Sequence, residues 1–387
     1  MYRALLIVIA IIVYGSLYPW DFHSTQLAAS PLWVLIHSWP RVVDQPLILD
    51  FGINVLLYMP VGVFGFLALR QSVRTAFAAT ATVLIGLTLS GSIEMIQLFD
   101  DARDCTASDV VCNVSGTVLG VALGSLYQQW LKRQLARTET AKFLHPTGGV
   151  LLFYTWLAYQ AFPLFPVLSR TKLAEKFRDF IAEVSLSPLE IFTYFVEWLV
   201  VAQLLENVLG PERTRRLFPF LLLVIPTRLL IAGRTVSWSE LAGGVLAYIC
   251  CHFLGGYQWR AALVAGLMLS LLTLRGLAPY HWSSVANAFS WIPFSGLLED
   301  DPEFGMLTFL RKCFWYGSSV WLLRAAGWRL TQAAIATALL LGTIEVIQIH
   351  LPGRVAEVTD PLLALILAMI LGLFERLHKL HSNSSLT

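Results

Sequence analysis

Apolar residues run along this chain in long continuous blocks, broken by short polar or charged stretches. The blocks are about 15–22 residues each, the length a helix needs to cross a bilayer. Twelve can be read, at roughly 4–20, 51–69, 76–98, 109–130, 149–167, 188–209, 217–232, 238–255, 260–278, 304–323, 330–350 and 360–374. They lack the two-residue alternation of a membrane barrel, so helices are predicted. Between some of them lie amphipathic or aromatic stretches suited to the headgroup layer. Residues 31–49 carry Trp33 and Trp39. Residues 172–184 place Leu173, Phe177, Phe180, Ile181 and Val184 on one helical face. Residues 286–298 include Trp291 and Phe294.

The polar positions repeat. Ile93-Glu94-Met95-Ile96-Gln97 recurs as Ile344-Glu345-Val346-Ile347-Gln348, and Arg103-x5-Asp109 recurs as Arg354-x5-Asp360. Glu to Asp is fifteen positions in both, so the register matches without a gap. A worn copy, Arg234-x5-Glu240, lies between them, with Ile225 and Arg228 at the glutamate and glutamine positions. In each third of the chain the first apolar block ends near a proline: Pro19, Pro163 and Pro279. The expected fold is therefore an all-α transmembrane bundle of about twelve spans in three parallel four-helix modules, 1–145, 146–257 and 258–387.

Composition agrees with this class. The chain is 57% hydrophobic and 13% charged, where a soluble domain carries about 25% charged residues. Of 27 lysines and arginines, 15 fall on the side holding both termini, which places the termini in the cytoplasm and the repeated motifs outside. The first block lacks a small-residue cleavage site and reads as an uncleaved anchor. A net charge of +2 without a basic stripe gives no sign of a nucleic-acid partner.

The candidate chemistry sits at the outer ends of the second, third and fourth helices of the first module. Asp50 and Asn54 are one turn apart, Asp109 and Asn113 likewise, and Glu94 and Gln97 share a face. Arg103 lies on the connecting loop. Carboxylates this close to lipid are costly and need a partner or water. Two readings stay open: a polar ligand pocket, or interhelical glue with Arg103 pairing with Asp109. The C-terminal counterparts are Lys312, Glu345, Gln348, Arg354 and Asp360. Lys312 stands where Asn54 would be, Tyr316 matches Tyr58, and a Lys312–Glu345 pair is expected. Asp100, Asp101, Asp104 and Asp109 lack the spacing of a calcium loop. No zinc-binding histidine pair appears, so neither metal nor cofactor is expected. Glycines 116, 120 and 124 have the small-xxx-small spacing of helix packing. Cys105 and Cys112 flank Asp109, as packing thiols or as a disulfide.

These motifs resemble the VanZ-like family of bacterial membrane proteins. The resemblance rests on Asn54-x5-Pro60-x-Gly62, on Ser92-Ile93-Glu94-x2-Gln97, and on Arg103-x5-Asp109-x3-Asn113-x2-Gly116. It covers residues 1–130 well and 260–375 in part; in the latter Ala364 and Leu367 replace the asparagine and glycine. What it implies is an envelope role in the bacterial inner membrane, with a link to glycopeptide resistance, but no reaction. The leading expectation is a protein that binds or positions a lipid or lipid-linked glycan headgroup at the outer leaflet. Arg103 would meet a phosphate or carboxylate, Asp109 and Glu94 would accept hydroxyl or amine protons, and Trp20 and Trp33 would touch lipid. A transporter or flippase, a membrane enzyme with Glu94 as base, and a structural partner are the alternatives.

Overall fold

The computed structural model describes every residue except 24–28, 41–44, 102, 104, 136–147, 164, 168, 183, 254–258, 300–301 and 385–387. Asp104 and the expected module boundaries at 145/146 and 257/258 lie outside the described residues. The chain divides into two compact units, Met1–Ala141 and Lys142–Thr387.

The N-terminal unit contains α1 (Tyr2–Ser16), α2 (Pro31–His37), α3 (Gln45–Leu69), α4 (Thr75–Gln97) and α5 (Ala107–Leu135). Leu5 and Ile12 of α1 pack with Tyr58 and Val61 of α3 and Ile93 of α4. Phe66, Ala78 and Val121 join α3, α4 and α5 lower in the bundle. The closest approach is α3 against α5, and the small residues explain it. A Cβ placed on Gly116 would lie 2.1 Å from the Val55 carbonyl oxygen, and one on Gly62 would lie 2.1 Å from that of Thr117. Small residues let membrane helices bring their backbones together.

The C-terminal unit begins with α6 (Gly148–Ala161), α7 (Arg170–Ala182), α8 (Pro188–Leu209), α9 (Pro211–Leu221), α10 (Val224–Thr227) and α11 (Trp238–Phe253). It continues with α12 (Arg260–Leu277), β1 (Phe289–Ser290), α13 (Ser295–Glu299), α14 (Pro302–Ala325), α15 (Leu330–Gln348), β2 (Ala356–Glu357) and α16 (Thr359–Ser384). One apolar core runs from Leu152 to Leu371 and includes Trp198, Phe218, Met268 and Phe314. The expected second and third modules therefore share a single core. Strands β1 and β2 pair in parallel, Phe289 opposite Ala356.

Among the described residues, six helices are long and apolar enough to cross a membrane: Asp50–Leu69, Thr75–Gln97, Ala107–Gln129, Pro188–Leu209, Arg260–Leu277 and Leu330–Gln348. Ala4–Ser16 is a shorter apolar helix. The protein is thus a helical, multi-pass membrane protein. The block at 217–232, expected as one span, is instead broken into α9, α10 and a short 3-10 turn at Arg228–Leu230. Pro219 and Pro226 fall inside it, and each removes a backbone donor that a continuous helix requires.

The amphipathic stretch after residue 170 is the helix α7. Lys176 donates to the carbonyls of Ile231 at 2.6 Å and Arg234 at 2.9 Å, and Phe180 stacks on Trp238. Phe177 and Ile181, on the adjoining strip, are exposed.

Candidate functional site

The motif of the N-terminal unit divides into a frame and a set of acids. The frame closes the end of α1, whose last carbonyls have no helical partner. Gln97 donates its side-chain amide to the Ser16 carbonyl at 2.7 Å. Arg103 donates Nε–H to the Tyr18 carbonyl at 2.7 Å and Nη2–H to that of Gly15 at 3.4 Å. Among the described residues no ion pair joins Arg103 to Asp109, so the expected pairing gives way to contacts with backbone. The chain end of α1 competes better because its carbonyls are fixed in place and lie beyond the reach of the helix's own donors.

The acids order the start of α5. Glu94 Oε2 accepts the Thr106 backbone N–H at 2.9 Å. The Thr106 hydroxyl accepts the Asp109 N–H at 3.2 Å and so caps the start of α5. Asn54 and Asp50 lie beside Asp109, and Glu94 and Asp109 are electrostatic neighbours. Asp50, Asn54, Glu94 and Asp109 therefore converge from three helices. Asn113, one turn below Asp109, donates its amide to the Ser90 hydroxyl at 2.9 Å. Asn113 Oδ1 and the Tyr58 hydroxyl are both buried without a hydrogen-bond partner.

Cys105 sits in the loop beside Glu94. Burial first, and then the Glu94 carboxylate, push its thiol up to about 12. All five cysteines are free. Among the described residues no group of three or more histidines, cysteines or acids is arranged to hold a metal ion.

Residues 2–128 match the family model described as VanZ/LLP1. This stretch is VanZ-like. No curated protein and no solved structure matches the chain.

The VanZ-like frame has close parallels further along. Gln348 donates to the Gly276 carbonyl at 2.9 Å. Arg354 donates to Ala278 and Arg275, both at 2.8 Å. Glu345 accepts the Glu357 N–H at 2.8 Å. Every partner keeps its place: Ser16, Tyr18 and Gly15 stand 260 positions before Gly276, Ala278 and Arg275 (276 − 16, 278 − 18 and 275 − 15). In the stretch between, Arg234 donates to the Tyr159 carbonyl at 3.1 Å, while Arg228 and Glu240 form a buried ion pair.

The C-terminal acids hold a cation. Lys312 Nζ lies 2.5 Å from Asp360 Oδ1 and 3.4 Å from Glu357 Oε1. The Tyr316 hydroxyl donates to Asp360 Oδ2 at 2.5 Å. The expected Lys312–Glu345 pair is thus replaced by Lys312 with Asp360 and Glu357, because Glu345 already serves the β2 backbone. Glu357 escaped the sequence reading; its position matches Thr106, so no acid marked it there. Tyr58 and Ser90 also escaped as site residues. The only available signal for Tyr58 was its match to Tyr316.

Proposed function

We propose that this protein binds and positions the headgroup of an envelope lipid, or of a lipid-linked glycan, at the outer leaflet of the bacterial inner membrane. Both termini would be cytoplasmic. In this reading the chain is built from three copies of one four-helix module, the middle one degenerate, and the N-terminal copy carries the working site. The matching backbone contacts of Gln97, Arg103 and Glu94 with those of Gln348, Arg354 and Glu345 support the repeat.

The observation that carries the binding role is the convergence of Asp50, Asn54, Glu94 and Asp109 from α3, α4 and α5. Asp50, Asn54 and Asp109 are half-buried, so the acids reach the surface of an otherwise apolar bundle. Trp20 and Trp33 are exposed on segments tied to the same loop: Tyr18 accepts from Arg103, and Ser38 accepts from the Ala107 N–H at 3.1 Å. Aromatics of this kind favour the headgroup layer. Gln97 and Arg103 hold the frame, and recognition falls to the carboxylates, which accept hydroxyl or amine protons. A protein that holds an envelope intermediate alters what a glycopeptide can reach, which connects the site to the resistance role implied by the resemblance.

The test is the lipid that co-purifies with the full chain. Wild type should retain a specific envelope lipid, and Asp109→Asn should lose it while keeping the same thermal unfolding profile. Identical lipid content in the two proteins would reject the site in favour of interhelical glue.

A further inference from the structure

The two clear copies of the motif solve one electrostatic problem in different ways. In the C-terminal unit Glu345, Glu357 and Asp360 are 3%, 7% and 8% exposed. Carboxylates so deep in an apolar bundle are expensive without a counter-charge. Lys312 supplies one. Its ammonium reaches Asp360 and Glu357 from α14, and Tyr316, one turn along the same face, donates to the far oxygen of Asp360.

The N-terminal unit keeps two of these acids, has Thr106 at the position of Glu357, and has no lysine at the position of Lys312. Glu94, Asp109 and Tyr58 occupy the positions of Glu345, Asp360 and Tyr316, but Asn54 stands in place of Lys312. The asparagine is two atoms shorter than lysine and carries no charge. Among the described residues, no cation lies within ion-pair distance of Glu94 or Asp109. Arg103, the nearest candidate in sequence, faces the α1 carbonyls. Two further polar atoms mark the place as incomplete. The Tyr58 hydroxyl, on a side chain 1% exposed, has no hydrogen-bond partner, and Asn113 Oδ1, on a side chain 5% exposed, has none either. In the C-terminal unit the corresponding hydroxyl of Tyr316 is bonded, and Ala364 removes the amide altogether.

We propose that the N-terminal site binds a primary ammonium group of its ligand, and that Lys312 is the same interaction made internally by the C-terminal unit. The inference rests on the headgroup-binding reading and names the chemistry recognised there. An alkylammonium brings one positive charge and three N–H donors, which suit Asp109, Glu94 and the unpartnered oxygen of Asn113. A quaternary ammonium has the charge without the donors. The amine can belong to an aminoethyl phospholipid, to an amino group on a lipid-linked glycan, or to a small soluble amine.

The full chain, purified in detergent and given an equimolar mixture of phosphatidylethanolamine, phosphatidylcholine and phosphatidylglycerol, is analysed by native mass spectrometry. Phosphatidylethanolamine should be retained about tenfold over each of the others. Asn54→Lys should abolish that preference without lowering thermal stability, because the introduced ammonium takes the ligand's place. Lys312→Asn should add a second retained phosphatidylethanolamine. Free ethanolamine, titrated into the lipid-free protein, separates the sources: saturable binding lost in Asn54→Lys indicates a soluble amine, and binding only with the lipid indicates a headgroup. Equal retention of phosphatidylglycerol, still lost in Asp109→Asn, would overturn the ammonium assignment and leave headgroup binding standing. Retention unaffected by Asp109→Asn would remove both.

Discussion

The Nε–H of Arg103 donates to the carbonyl oxygen of Tyr18 across 2.7 Å. With the second contact to Gly15, the guanidinium closes the open end of α1 and ties it to the loop that leads into α5. Arg103→Ala should therefore act on stability. Leaving partly buried carbonyls without a donor costs about 1–3 kcal/mol. Arg103→Lys should recover little of this, since one ammonium does not reproduce the fork of Nε and Nη2. Thermal unfolding in detergent measures the effect. Unchanged unfolding with loss of bound lipid would return the guanidinium to the ligand.

The packing of α3 on α5 yields a prediction about a residue with no polar chemistry. A methyl group on Gly116 would lie 2.1 Å from the Val55 carbonyl oxygen, and a backbone cannot yield there as a flexible side chain can. Gly116→Ala should separate the two helices and cost about 1–3 kcal/mol. Because α3 carries Asp50 and Asn54 while α5 carries Asp109, the same variant should weaken lipid retention. Gly91→Ala, with nothing within 4 Å of the added carbon, should leave both unchanged.

Much of this arrangement was visible in the residue pattern, and the reason is that Glu94, Gln97 and Arg103 serve backbone groups at helix ends. Glu94, Gln97 and Arg103 could be matched to Glu345, Gln348 and Arg354 because helix ends impose the same spacing wherever they are capped. Their partners were not visible: backbone carbonyls leave no mark in a sequence, so Arg103 was assigned to a phosphate or to Asp109 rather than to Tyr18. The span at 217–232 was misjudged because apolar content outweighed Pro219 and Pro226. Glu357 was missed for another reason. Its value comes from β2 lying beside β1, a tertiary pairing of two residues that no local periodicity announces.

The C-terminal cluster offers a direct measure of coupling. Lys312 and Asp360 are 2.5 Å apart, and the Lys312 side chain is 25% exposed. Removing Lys312 leaves Asp360 and Glu357 without their cation, and removing Asp360 leaves Lys312 with the longer contact to Glu357 alone, so the two losses should not add. A cycle of Lys312→Met and Asp360→Asn should show about 2 kcal/mol of coupling in unfolding free energy, below the fully buried range because solvent reaches the lysine. The same cycle with Glu345→Gln should show less, since Glu345 is held by the Glu357 N–H. Additive effects at Lys312 and Asp360 would mean the ion pair contributes nothing.

Cys105 reports on the acids from outside the spanning helices. Its thiol stands at about 12, raised first by burial and then by the charge of Glu94, with Asp109 adding to it. Only the thiolate attacks an alkylating reagent, so a variant retaining Cys105 alone should react slowly with iodoacetamide at pH 8. Its rate should climb roughly tenfold per pH unit toward pH 11, without the plateau that an ordinary thiol reaches near pH 9–10. Removing the nearby negative charge favours the thiolate, so Glu94→Gln should move the profile to lower pH and speed labelling at pH 8. A plateau near pH 9 in the wild-type background would show that the Glu94 carboxylate does not face this thiol.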